Sequence, residues 1–153
     1  MEETRKYNMK DNLNLLANKR IELDFNKIRK WLEKKIKALE KLEKIKAEQI
    51  SIVITDDKNI KFLNQKYRQQ NKITDVLSFV QSDIKEDLKT TLDNFLGEIF
   101  INFEQAQRQS DNLQEELIKL LVHGYLHARG YLHKTEKQRK DMDGRAKEII
   151  LKL

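Results

Sequence analysis

A chain of 153 residues, 39% hydrophobic and 37% charged, fits one domain with a modest core and a heavily ionised surface. It carries no apolar run near the roughly 20 residues needed to cross a bilayer and no signal-peptide pattern, so a membrane partner is not expected. With no cysteine and a formal charge of +6, it excludes disulfides and thiolate metal sites, fits a cytoplasmic location, and favours an anionic partner such as nucleic acid.

Residues 1–20 are polar, with Leu13, Leu15 and Leu16 as the main apolar points, and a short strand is expected within residues 12–17. Across residues 24–45, Phe25, Ile28, Trp31, Leu32, Ile36, Leu39 and Leu42 recur at intervals of three and four, which predicts one amphipathic helix. Asp24 stands where an N-cap belongs. The outer face of this helix is rich in lysine; a solvated face explains it, and binding to a polyanion is the alternative. Residues 49–55, QISIVIT, read as a buried strand from their β-branched content. Asp56 or Asp57 then caps a helix with Ile60, Leu63 and Tyr67 on its apolar face. Residues 74–80, TDVLSFV, alternate as a second such strand. The polar stretch 81–94 follows, either a flexible lid or a plain surface insertion. Residues 96–103 put Ile99, Ile101 and Phe103 on one face and Glu98, Phe100 and Asn102 on the other, predicting another strand. A short helix over 103–109 follows, and Asp111–Asn112 restart the chain into a longer one. Near the end, Thr135 and Gln138 have the spacing of a capping box before a helix with Met142, Ala146, Ile149 and Ile150 facing inward. The fold class is therefore α/β of the α+β type. One domain spans residues 1–153, with a small mixed sheet of about four strands packed with helices.

All three histidines of the chain fall within eleven residues, in LLVHGYLHARGYLH. Leu113, Leu117, Leu120, Leu121 and Gly124 share one helical face, and His123 and His127, four apart, stack one turn above the other at its border. Gly130 is placed where a helix ends and the chain takes positive φ, a turn that can bring His133 back to the other two. Two imidazoles from a helix and one from the following loop make three corners of a tetrahedron and leave one corner open. That is the ligand count of a catalytic zinc site, although imidazole also suits nickel, copper and iron. The spacing H-x-x-x-H-x-x-G-x-x-H also matches zinc proteases of the metzincin type, but their glutamate base after the first histidine is here Gly124. Peptide hydrolysis by that route is therefore not expected.

Three segments, in order, carry a resemblance. Phe62 to Arg68, reading FLNQKYR, is followed by Lys72 and by TDVLSF from Thr74 to Phe79; together they resemble a pattern YR…KPTNVLSFP. Leu96 to Ile99, LGEI, resembles LGDI. His123 to His127, with Gly130, Tyr131 and His133, resembles HGxLHLxGYDH. These are segments of the YbeY family of bacterial rRNA-maturation endoribonucleases, and the likeness runs from about Leu23 onward.

The resemblance implies a three-histidine zinc site and a metal-dependent RNase that cuts single strands. It also implies work on ribosomal RNA, at the 16S rRNA 3′ end and in ribosome quality control, with the ribosome or its small subunit as partner. Position by position, His123, His127 and His133 would be metal ligands, with His123 catalytic. Arg68 would be a catalytic and substrate-binding arginine, suited to grip a phosphate through two parallel hydrogen bonds. Lys72 would bind substrate. Glu98 stands where the family has an aspartate, either supporting the site or simply polar on an open face. The family's aspartate before the third histidine is Leu132 here; Glu136, Asp141 or Asp143 could replace it. Neither the attacking group, water or the RNA 2′-hydroxyl, nor a general base can be read from the residues. A second reading makes the metal mainly structural and the protein a ribosome-associated assembly factor.

Overall fold

The computed structural model describes residues 15–17, 21–46, 49–80 and 96–153. The polar stretch at 81–94 lies outside the described residues, as does the start of the chain before residue 15. Four strands, β1 (Leu15–Ala17), β2 (Ile50–Thr55), β3 (Val76–Val80) and β4 (Gly97–Asn102), form one sheet in the order β1-β2-β4-β3. β1, β2 and β4 run parallel, and β3 is antiparallel to β4 with Phe79 opposite Glu98 and Leu77 opposite Phe100. This is the mixed α+β architecture that the patterning predicts.

Among the described residues six helices accompany the sheet: α1 (Glu22–Asn26), α2 (Arg29–Glu43), α3 (Asp57–Arg68), α4 (Phe103–Gln109), α5 (Leu113–Ala128) and α6 (Glu136–Leu151). The single helix expected over 24–45 is in fact α1 and α2, separated at Lys27 and Ile28. Asp24 is no N-cap; it lies inside α1 and pairs with Lys27 at 3.7 Å. On either side of the break, Phe25 meets the Phe103 ring edge-on at 5.9 Å and α2 buries its Leu32–Ile36–Leu39 face. The i,i+3 bond from Ile28 N–H to the Phe25 carbonyl turns the chain between them.

Local rules hold at the other helix starts. Asp56 caps α3 by accepting from the Asn59 amide at 2.9 Å, Asn102 caps α4, and Asn112 caps α5. Thr135 and Gln138 form the reciprocal capping box of α6.

The core lies between the sheet and α5. Ile54, Ile99, Ile101, Leu117, Leu121 and Val122 are all at 0% exposure there. On its far side α5 is tied to α2 and α6 by a small polar network. The Tyr125 hydroxyl donates to Glu43 at 3.2 Å and accepts from Arg129 Nε at 2.9 Å, while Arg145 reaches the same Glu43 carboxylate at 2.6 Å. This network holds α5, the helix that carries two of the three histidines, from behind.

Candidate metal centre

α5 delivers His123 and His127 one turn apart, and Gly124, between them, lets the helix lie almost on the sheet. A Cβ at Gly124 would stand 2.5 Å from Ile99 Cγ2 and 3.2 Å from Ser78 Oγ. The Ser78 hydroxyl donates to the Gly124 carbonyl at 3.2 Å, fixing helix to strand at that level. The place a protease would fill with glutamate thus faces β4, not the histidines, and has no room for a side chain.

The helix then ends in a Schellman turn. Gly130, at φ +92°, donates its N–H to the His127 carbonyl at 3.0 Å, and Tyr131 donates to the Leu126 carbonyl at 3.0 Å. The turn brings His133 back, as the glycine predicts. Ring centroids are 4.5 Å apart for His123–His127, 4.8 Å for His127–His133 and 5.7 Å for His123–His133.

One nitrogen from each ring lies within 4.8 Å of the other two, so the three together could hold a metal ion. His127 Nδ1 lies 2.9 Å from the Tyr131 carbonyl oxygen, which can only accept, so Nδ1 carries the hydrogen and Nε2 keeps its lone pair. That Nε2 is 3.0 Å from His123 Nε2. Two nitrogens on a zinc tetrahedron, each about 2.0–2.1 Å from the ion, would be roughly 3.3–3.4 Å apart, so the spacing is close to what an ion needs. Burial and the nearby His127 and His133 push the His123 pKa below the ordinary histidine value. Burial also lowers that of His127, against the raising effect of its Tyr131 bond. Both rings are therefore neutral near pH 7, the form that ligates. Donor set, spacing and protonation all fit a metal.

The histidines line one part of a cleft of about 580 Å³. Its opposite wall is edge strand β3 and the end of α3. Arg68, the last residue of α3, donates from Nη2 to the Ser78 carbonyl at 2.7 Å, and its guanidinium lies over the Phe79 ring at 5.2 Å. Its positive charge contributes to the lowering of the His127 pKa. Past the left-handed Gln69, at φ 58°, buried Asn64 donates to the Lys72 carbonyl at 3.0 Å and fixes the turn that carries Lys72 into the cleft lining.

A sequence model described as Endoribonuclease YbeY matches residues 14–153. The chain belongs to the YbeY family. Proteins named Endoribonuclease YbeY are similar to it from several organisms. That of Bacillus cereus (strain G9842) is 34% identical over 110 residues, covering 67% of this chain and 70% of its own. That of Acholeplasma laidlawii (strain PG-8A) is 38% identical over 107 residues, covering 67% and 73%. That of Phytoplasma australiense is 38% identical over 110 residues, covering 69% and 74%. The solution structure of TM1509 from Thermotoga maritima is similar with a TM-score of 0.56 at 27% identity, over 90% of this chain and 86% of that one.

The structure brings His123, His127, His133, Arg68 and Lys72 to one cleft. It does not bring Glu98, which alternates with the Ile99 that meets α5 and so projects from the opposite face of β4. Leu132, where the YbeY pattern has aspartate, lines the cleft and is 47% exposed. Of the acids considered as its replacement, none lines the cleft, although the Asp143 charge acts on His123. Sequence reasoning missed Asp75. It lines the cleft, its charge favours the protonated form of His123, and its Oδ2 accepts from Gln109 at 3.0 Å. The available signal was Asp75 itself, an acid where the quoted pattern NVLSF has asparagine.

Proposed function

We propose that this protein is a cytoplasmic, metal-dependent endoribonuclease that cuts single-stranded RNA, with ribosomal RNA near the 16S 3′ end as substrate and the small ribosomal subunit as partner. In this reading residues 1–153 act as one catalytic domain. The observation that carries the proposal is three converging imidazoles in the same cleft as Arg68. Family membership and the relatives' names support RNA as the polyanion, and a formal charge of +6 agrees.

His123, His127 and His133 would hold the ion, and a three-histidine set with an open place suits zinc. When bound, such an ion supplies Lewis-acid charge beside a phosphodiester. The chain's own residues do the rest. Arg68, braced by Ser78 and stacked on Phe79, offers a planar fork to the phosphoryl oxygens and stabilises the charge that builds there. Lys72, on a longer and freer stem, draws in the backbone phosphates. Asp75 supplies the carboxylate on the cleft wall that can take a proton from the attacking hydroxyl, be it water or the RNA 2′-hydroxyl.

The test combines elemental analysis with cleavage of a labelled single-stranded RNA, its duplex and the matching DNA. Wild type is expected to hold about one zinc per chain and to cut only the single-stranded RNA. His123→Ala should lose both metal and cutting. Arg68→Ala should keep the metal and cut roughly 100-fold more slowly, the usual size of one lost transition-state donor. Equal cutting of DNA and RNA, or cutting by His123→Ala, would contradict the proposal.

The exposed Leu132 favours a second reading, in which the metal is structural and the protein is an assembly factor. No cleavage by wild type or Arg68→Ala, with binding to small subunits intact in both, would select it.

A further inference from the structure

We propose that the exposed rings of Phe62 and Tyr67 on α3, with the Lys66 ammonium against both, form a stacking platform for unpaired bases of the RNA strand as it leaves the cleft past Arg68. The inference rests on the proposed RNase reading and extends it to how the strand is held. Patterning places Tyr67 on the apolar face of α3 with Ile60. Ile60 is indeed fully buried, but Tyr67 is 55% exposed and Phe62 61%. Elsewhere the large aromatics Phe25, Phe103 and Tyr125 lie in the core, at most 1% exposed.

Lys66 Nζ lies 5.8 Å from the Phe62 ring centre and 5.2 Å from that of Tyr67. The platform is continuous with the cleft. The Tyr67 ring meets Phe79 at 5.2 Å, and Phe79 carries the Arg68 guanidinium. The outer side of α3 is basic: Lys58, Lys61, Lys66 and Arg68 are exposed, and its one acid, Asp57, is held by Arg108. An apolar protein helix docked here would have to desolvate the Lys66 ammonium without a counter-charge. A single strand supplies a π-face for each ring and a phosphate for the lysine, which is how sequence-tolerant sites hold single-stranded nucleic acid.

The test uses the metal-loaded full chain and two fluorescein-labelled probes of equal length, single-stranded oligouridylate and the same backbone without bases. Binding is measured by anisotropy across a salt series, with gels to monitor cutting. Wild type should bind oligouridylate more tightly than the base-free strand. Tyr67→Leu and Phe62→Leu should each raise the oligouridylate Kd about tenfold, within the 5- to 150-fold expected for one lost stack. Both should leave the base-free Kd within about twofold and the salt slope unchanged, and Tyr67→Phe should bind like wild type. Lys66→Met should weaken both probes alike and lower the salt slope by about 0.7.

If Tyr67→Leu and Phe62→Leu weaken both probes equally, or neither, the platform is refuted while the RNase reading stands on its cleavage assay. Wild type that binds neither probe would remove both. Circular dichroism melts within a few degrees of wild type identify folded variants; because Tyr67 touches Phe79 whereas Phe62 is more exposed, Phe62→Leu decides the matter should Tyr67→Leu misfold.

Discussion

Replacing Gly124 by alanine sets two effects of opposite sign against each other. In an isolated helix the change stabilises by about 0.8–1.0 kcal/mol. Here the new Cβ would stand 2.5 Å from Ile99 Cγ2, too close to persist. Ile99 is fully buried and branched at Cβ, so that methyl cannot swing aside without leaving its rotamer. Overpacking of this kind costs about 1–3 kcal/mol, and the Ser78–Gly124 bond, worth about 1 kcal/mol, is stretched as the helix moves off. The net expectation is a loss of about 1–3 kcal/mol, or roughly 2–12 °C in Tm for a chain of this size. Because α5 carries His123 and His127, metal affinity should fall by about tenfold.

Urea unfolding and a competitive zinc titration read both effects. Ile99→Leu removes the offending Cγ2 at nearly constant volume, so the double variant should recover about 1 kcal/mol relative to additivity. A Gly124→Ala protein as stable as wild type, with unchanged zinc affinity, would refute the close-packing argument.

Zinc binding should weaken at lower pH than in a free histidine peptide, because burial holds His123 and His127 neutral to lower pH; a pH series of zinc affinities for the two checks this. Asp57 is held below its ordinary carboxyl value chiefly by hydrogen bonding to Arg108, with both carboxylate oxygens at 2.7 Å from the guanidinium. The folded form therefore takes up that proton later than the unfolded chain as pH drops. The pair's contribution is complete well above the unfolded value near 3.8 and is lost as pH falls through the lower folded value. Since Arg108 is half exposed, Asp57→Asn should cost only about 0.5–1 kcal/mol at pH 7, a gap that closes in urea melts as pH falls through the lowered carboxyl value. Tyr125→Phe removes a buried hydroxyl bonded to Glu43 and Arg129 and should cost about 1–2 kcal/mol, with a smaller loss in a Glu43→Gln background if the two act as one network.

Much of this was legible because local rules decided it. The isoleucines of β2 and β4 announce strands, Thr135 with Gln138 announces a helix start, and Gly130 announces the turn behind the histidines. The histidine cluster was the most readable feature, since helical spacing plus one glycine nearly determine where three imidazoles meet. What was not legible depended on distant partners. The break between α1 and α2 leaves no mark in the apolar spacing, and Phe25 beside it packs on Phe103, 78 positions further along in the sequence numbering. Tyr67 follows the apolar spacing of α3 yet faces outward, because periodicity locates a stripe without saying how far the neighbouring element covers it. Glu98 stayed open between two readings and Asp75 went unnoticed, because which side of the sheet meets the cleft is set by the helix docked on it. Gly124 illustrates this best. Its residue type excluded a protease base, but only the approach of Ile99 shows why a side chain is absent there.

The turn at Gly130 ties chain reversal to ligand chemistry. The Tyr131 peptide gives its N–H to close the helix and its oxygen to select which nitrogen of His127 stays bare. Register in this hairpin-like corner is therefore doubly constrained. Adding one residue between Tyr131 and His133 would leave the helix stop intact and the His127 tautomer correct, yet swing the third ring out of range. Adding one before Gly130 would spoil all three at once. For anyone grafting this motif onto another scaffold, the transferable unit is the whole stretch from His123 to His133 with its spacing untouched, not the three histidines alone.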